Sequence, residues 1–83
     1  MVELIGSEKQ IKWAEKIRIA KIEEASASKE KNEALVKKQG KLNKVTENFL
    51  TNIENFLARV ETETSAKWYI ENRDNRVISF DRW

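Results

Sequence analysis

Proline is absent from the whole chain, and glycine occurs only at Gly6 and Gly40. Tight turns between strands draw heavily on these two residues, so a sheet-rich fold would lack its usual punctuation here. Helix is favoured instead, because a backbone that never meets a proline keeps every N–H donor available for an unbroken i→i−4 ladder. The expected class is therefore mainly α. The pattern predicts a three-helix bundle, or a long helical hairpin with a short third helix, over one domain spanning residues 1–83. A short β-pair between the termini is left open.

The start of the first helix is written in Ser7-Glu8-Lys9-Gln10, a capping-box spacing. In this arrangement the serine hydroxyl accepts from the backbone of Gln10 while the Gln10 side chain reaches back. Glu8 then sits where a negative charge suits the helix dipole. Leu4 or Ile5, just before the cap, is placed to pack on Ile11. Two apolar stripes follow: Trp13, Ile17 and Ala20 on one arc, and Ile11, Ala14, Ile22 and Ala25 beside it. An arc this wide predicts cover from two neighbours, and it assigns Trp13 to the core. The pattern fades at Ser26-Ala27-Ser28, so the helix is expected near 7–27. One alternative carries this helix further and places the bend at Gly40, with Lys37 and Lys38 in the last turn. Another begins the second helix near Lys29, since Leu35 precedes Leu42 by one heptad, and runs it through Gly40 at a cost of about 1 kcal/mol.

Leu42, Val45, Phe49, Ile53, Phe56 and Val60 recur at steps of three and four, with Leu50 and Leu57 widening the stripe. That spacing predicts an amphipathic helix near 41–61. A shorter helix near 63–73 is expected from Ala66, Tyr69, Ile70 and Arg73. It is capped by Thr62 or Thr64 and left through the "NRDN" turn at 72–75. Arg76 to Phe80 alternates enough for a strand, whose one plausible partner is Val2 to Ile5.

Composition narrows the chemistry. The 83 residues contain no cysteine and no histidine. Disulfides, thiolate metal sites, cysteine nucleophiles and imidazole bases are thereby excluded. Glu23 and Glu24 are adjacent and diverge on a helix, while Glu61 and Glu63 flank a junction. Neither pair makes a catalytic site, so no catalytic residue, metal or cofactor is expected, and the chain is read as not an enzyme. A domain of this size buries only roughly 60–65% of its unfolded surface, which leaves little room for a deep pocket. No stretch approaches the ~20 apolar residues of a membrane span, and the start lacks a leader pattern. A cytoplasmic protein without a membrane partner is the economical expectation.

Charge is uneven. Residues 31–44 carry five lysines against Glu33 alone, whereas residues 45–83 carry five basic and seven acidic side chains.

Two stretches, "LIGSEKQIKWAEKIR" and "TSAKWYIENRDN", resemble paired blocks in short bacterial proteins, many of them carried on phages, plasmids or other mobile elements. There a similar capped helix and an "AKWWIDNR"-like block bracket a variable helical middle. The resemblance covers roughly a third of the chain and implies a small helical domain, with no assigned activity and no site residues to transfer.

Together these readings lead to a non-catalytic, protein-binding accessory module. Its candidate contact residues are Trp68, Arg73, Arg76 and Trp83, with Trp68 expected either to pack on Trp13 or to stand exposed as an anchor. The alternative is weak, sequence-nonspecific nucleic-acid binding through Lys37, Lys38, Lys41 and Lys44. A second copy of the chain is a further candidate partner, since a hairpin with a spare apolar arc often dimerises.

Overall fold

A computed structural model describes residues 2–83. Three helices follow in order: α1 (Glu8–Gln39), α2 (Lys44–Thr62) and α3 (Ala66–Glu71). The chain is mainly helical, a hairpin with a short third helix. α1 has 32 residues; at about 1.5 Å per residue it extends about 48 Å. That length alone accounts for the molecule's long dimension, 48 Å against 20 and 19 Å across.

The capping box forms as written. The Gln10 backbone N–H donates to Ser7 Oγ at 3.2 Å, and the Ser7 N–H donates to Gln10 Oε1 at 3.0 Å. α1 does not stop at residue 27. It continues through Ser26-Ala27-Ser28 to Gln39 and ends at Gly40, whose φ of 71° and N–H bond to Val36 O make a left-handed cap. The polar segment 29–39 stays helical because it is rich in lysine, glutamate and alanine, all good helix formers. α2 then runs back along α1, capped by Asn43, whose side chain accepts from the Thr46 N–H.

The face of α1 that is buried is Ala14, Arg18, Lys21, Ala25 and Asn32. These positions step by four, three and four, with one heptad from Ala25 to Asn32 that is filled by half-buried Ser28. The alanines let neighbouring elements approach closely, and the two long cations lie within the seam, Arg18 with its Nε buried and without a hydrogen-bond partner among the described residues. Arg18 Nη1 donates to Val2 O at 2.9 Å, and Lys21 Nζ donates to Asn75 O. Trp13 is not in the core: it is 48% exposed, and the Arg73 guanidinium lies over its ring, 5.1 Å from the centroid.

α3 and the C-terminal segment cover the first half of α1. Tyr69, Phe56, Ile53 and Val77 are the large side chains wholly removed from solvent. The expected pairing of Val2–Ile5 with 76–80 is absent, and no strand occurs among the described residues. Instead Ile5 makes one parallel bridge with Ser65, donating to Thr64 O at 2.6 Å and accepting from the Ala66 N–H at 3.0 Å. The reason is local: Ile5 lies just before the α1 cap and Ser65 is itself the α3 N-cap, both places where backbone is extended and its polar groups need partners. Residues 76–80 fold as a turn closed by the Phe80 N–H on Arg76 O.

Four polar contacts hold that tail. Besides the Lys21 bond, the Val77 N–H donates to Glu24 Oε2 at 2.7 Å, Asn52 Nδ2 to Ile78 O at 2.8 Å, and Arg59 Nη1 to Trp83 O at 3.2 Å.

Candidate interaction surface

The four residues expected to form one contact surface divide into two roles. Trp68 and Trp83 pack on each other edge to face, with ring centroids 5.6 Å apart. Trp83 also meets Phe56 at 4.9 Å and Phe80 at 4.5 Å, and its indole N–H donates to Val77 O. Arg59 lies over Trp68. Both indoles are half-buried and close the end of the core, so Trp68 pairs with Trp83 and not with Trp13. The two blocks of the sequence do meet, through the Ile5–Ser65 bridge, through Arg18 over the Tyr69 ring, and through Arg73 over Trp13. Arg73 and Arg76 are both exposed. Arg73 is occupied by Trp13, and it also donates to Ile70 O. Arg76 has no ion-pair or hydrogen-bond partner for its side chain among the described residues.

Ionisable groups at the covered end respond to burial. Burial lowers Lys21, with Glu24 and Asp74 opposing that shift and Arg76 adding to it. Tyr69 is raised by burial, against the pull of the nearby Arg18 guanidinium. For Glu63, burial favours the neutral acid. The Ser65 N–H and the Arg59 guanidinium outweigh it and hold the carboxyl below its ordinary range. No cluster of acidic residues suited to a metal occurs among the described residues, nor any helix long and apolar enough to cross a membrane.

The other half of the hairpin is differently finished. α3 does not reach it, the tail borders it only through Arg76 and Ile78, and Leu35, Leu42 and Val45 remain 38, 50 and 60% exposed. Lys37, Lys38, Lys41 and Lys44 are all exposed around the same turn. Between Glu33 and Glu47 the chain has these four cations and no acid. Two grooves run between α1 and α2 here. One is bordered by Glu33, Val36, Lys37, Leu42 and Leu50. The other, about 360 Å³, is lined by the apolar Leu35, Phe49 and Ile78, the polar Ser28 and Asn32, and the exposed cations Lys31 and Arg76.

Phe49 belonged to the apolar stripe read from the sequence, and Arg76 to the contact set; the structure brings them together. Lys31, Leu35 and Ile78 were not singled out. Leu35 was visible as lying one heptad before Leu42. Nothing in the sequence places Ile78 or Lys31 at the same groove, because that depends on where the tail folds back.

Fold and surface together define a small helical-hairpin module, sealed at one end and left apolar and basic at the other. In comparisons with protein-family models, with curated proteins and with solved structures, nothing matches this chain.

Proposed function

We propose that the chain is a non-catalytic interaction module that binds a protein partner through the uncovered half of its hairpin. The observation that carries this reading is the exposure of Leu42, just before the α2 cap, and of Val45 in its first turn, at 50 and 60%, whereas Ile53 and Phe56 further along α2 are fully buried. At this end of α2 the buried position is taken by Thr46, and its neighbour Val45 faces outward. An apolar stripe prolonged beyond its own core is the usual mark of a surface that another molecule covers.

On this reading the contact lies away from Trp68 and Trp83, while Arg76 lines the neighbouring groove with Leu35 and Phe49. The test is selection from a displayed random-peptide library against the whole chain. Binders are expected to be lost on the double change Leu42→Ser and Val45→Ser, with the melting temperature nearly unchanged because both side chains are already solvated. Trp68→Ala is expected to lower stability while leaving the selected binders in place. Binders that instead ignore the hairpin and require Trp68 would return the contact to the aromatic end.

Nucleic-acid binding is the second reading, favoured by one observation: Lys37, Lys38, Lys41 and Lys44 are exposed together around one turn with no acid among them. It requires a mobility shift at low salt that weakens steeply as salt rises.

A further inference from the structure

The groove that includes Lys31 and Arg76 offers more than an apolar lining. Both residues are cations, and no acid lines the groove. Neither side chain has an ion-pair or hydrogen-bond partner among the described residues. The opposite groove, by contrast, sets Glu33 beside Lys37 and is electrically mixed. Glu24, the nearest acid of α1 to the tail, is already committed to the Val77 N–H.

Resting on the reading above, we propose that this groove is the docking site for an acidic amphipathic helix of a partner protein. The partner's aliphatic or aromatic side chain sits on Leu35, Phe49 and Ile78, and its Asp or Glu carboxylates lie between Lys31 and Arg76. Charge selects the occupant. A second copy of this chain presenting the same lysine-rich half would meet its own sign, which costs affinity and slows encounter. Nucleic acid would satisfy the cations but has no use for the apolar lining. A bilayer calls for an apolar residue that projects, whereas here the apolar residues line a recess between helices. A recess takes an inserted knob, the geometry of helix-in-groove recognition.

Arg76 supplies a forked guanidinium that matches a carboxylate in two places, and Lys31 supplies a mobile point charge. Both contacts strengthen once the knob excludes water from the apolar lining. The same two cations, if reversed, become repulsive to the same partner, which makes the proposal testable without knowing the partner's identity.

The experiment is a fluorescence-anisotropy titration of the full chain with three labelled helical peptides. All three carry leucines at one amphipathic spacing, and their polar positions are filled with Glu, Gln or Lys. The Glu peptide is expected to bind at least about tenfold more tightly than the Gln peptide, with the Lys peptide weakest. Lys31→Glu and Arg76→Glu are each expected to weaken the Glu peptide by about tenfold, whereas Lys9→Glu, on an exposed first turn, leaves it unchanged. Both changed residues sit at the surface, so unaltered circular dichroism and melting confirm the fold. Equal binding of the Glu and Gln peptides, lost on Leu35→Ser, overturns the charge selection while the protein-binding reading stands. Failure of all three peptides overturns the inference, and the library selection with Leu42→Ser and Val45→Ser then decides the broader reading alone. Binding to phosphatidylserine vesicles or to a DNA duplex that Lys31→Glu and Arg76→Glu abolish, without any binding of the Glu peptide, overturns it in favour of those classes.

Discussion

The two halves of the hairpin are built from one pair of helices and finished in opposite ways. At the covered half, α3 packs on α1 and the tail folds over the joint, where Lys21, Glu24, Asn52 and Arg59 all bond its backbone. Each of those bonds satisfies a polar group that would otherwise be stranded beside an apolar core. At the turn half, α2 meets α1 without α3, and the helix ends are stabilised by caps at Gly40 and Asn43 rather than by burial. A third element of only six residues can seal one end of a 48 Å hairpin and no more. Stability is therefore concentrated in one half, and the other half is left free to meet a partner.

The sharpest way to break this contrast is to truncate one apolar residue in each half. Phe56 is wholly buried and packs against Trp83. Phe56→Ala should cost about 3–5 kcal/mol, as for large-to-small changes in other cores. Leu42→Ala, half-exposed in the turn before α2, should stay within about 0.5 kcal/mol. Urea unfolding of both variants measures the difference directly. Comparable losses at the two positions would mean that the turn half is packed after all.

The same contrast explains what could be read from the sequence. The α2 stripe was legible because every member is a large apolar residue at helical spacing, yet spacing cannot say where cover ends. Leu42 and Phe56 look alike in sequence and differ completely in exposure. The buried face of α1 was hidden for another reason. Its seam passes through Arg18, Lys21 and Asn32, residue types that a hydrophobic pattern discards, so attention fell on Trp13 and Ala20, which lie outside it. The eleven-residue step between Ala14 and Ala25, with cations at the intervening positions, was the available signal. Trp13 was misplaced because a large ring beside Ile17 reads as core, although Arg73 covers it from the surface. The β-pair failed because tail residues 76–80 give their backbone groups to side chains of α1 and α2 rather than to a strand. The contact residues were legible only in part: Arg76 reaches the groove, but its companions there come together through that same tail.

Glycines test the comparison at smaller scale, since each half contains one and needs it for a different reason. A Cβ on Gly6 would stand 3.1 Å from Ala66 Cβ, where the lead-in to α1 crosses α3. Gly6→Ala should therefore push at the covered end and cost about 1–3 kcal/mol, the range for overpacking. A Cβ on Gly40 would meet nothing, but its φ of 71° is left-handed. Gly40→Ala should cost only the backbone penalty, about 1 kcal/mol. In a domain of this size that is a fall of about 4–8 °C in Tm. A Gly6→Ala protein as stable as the parent would show that the α1–α3 approach is looser than the geometry indicates.

The smallest expected effect is the pH response of the junction between α2 and α3. Glu63 accepts from Arg59 and from the Ser65 N–H, and although burial opposes ionisation these partners hold its carboxyl below the ordinary range. The folded chain thus binds this proton less readily than the unfolded chain does. Its stabilisation is complete above the unfolded value of about 4.3 and is lost as pH falls through the lower folded value. Glu63→Gln keeps an acceptor for Arg59 but has no charge to titrate. The stability gap between parent and variant should be widest near neutrality and close in acid, read from urea midpoints across that range. Since this junction also carries the Ile5–Ser65 bridge, the acid-side loss should appear first as faster amide exchange at Ile5 and Ala66, while the turn at Gly40 is unaffected. A gap that stays constant into acid would mean that the Glu63 charge contributes nothing to sealing the covered half, leaving its hydrogen bonds and the apolar core to do so.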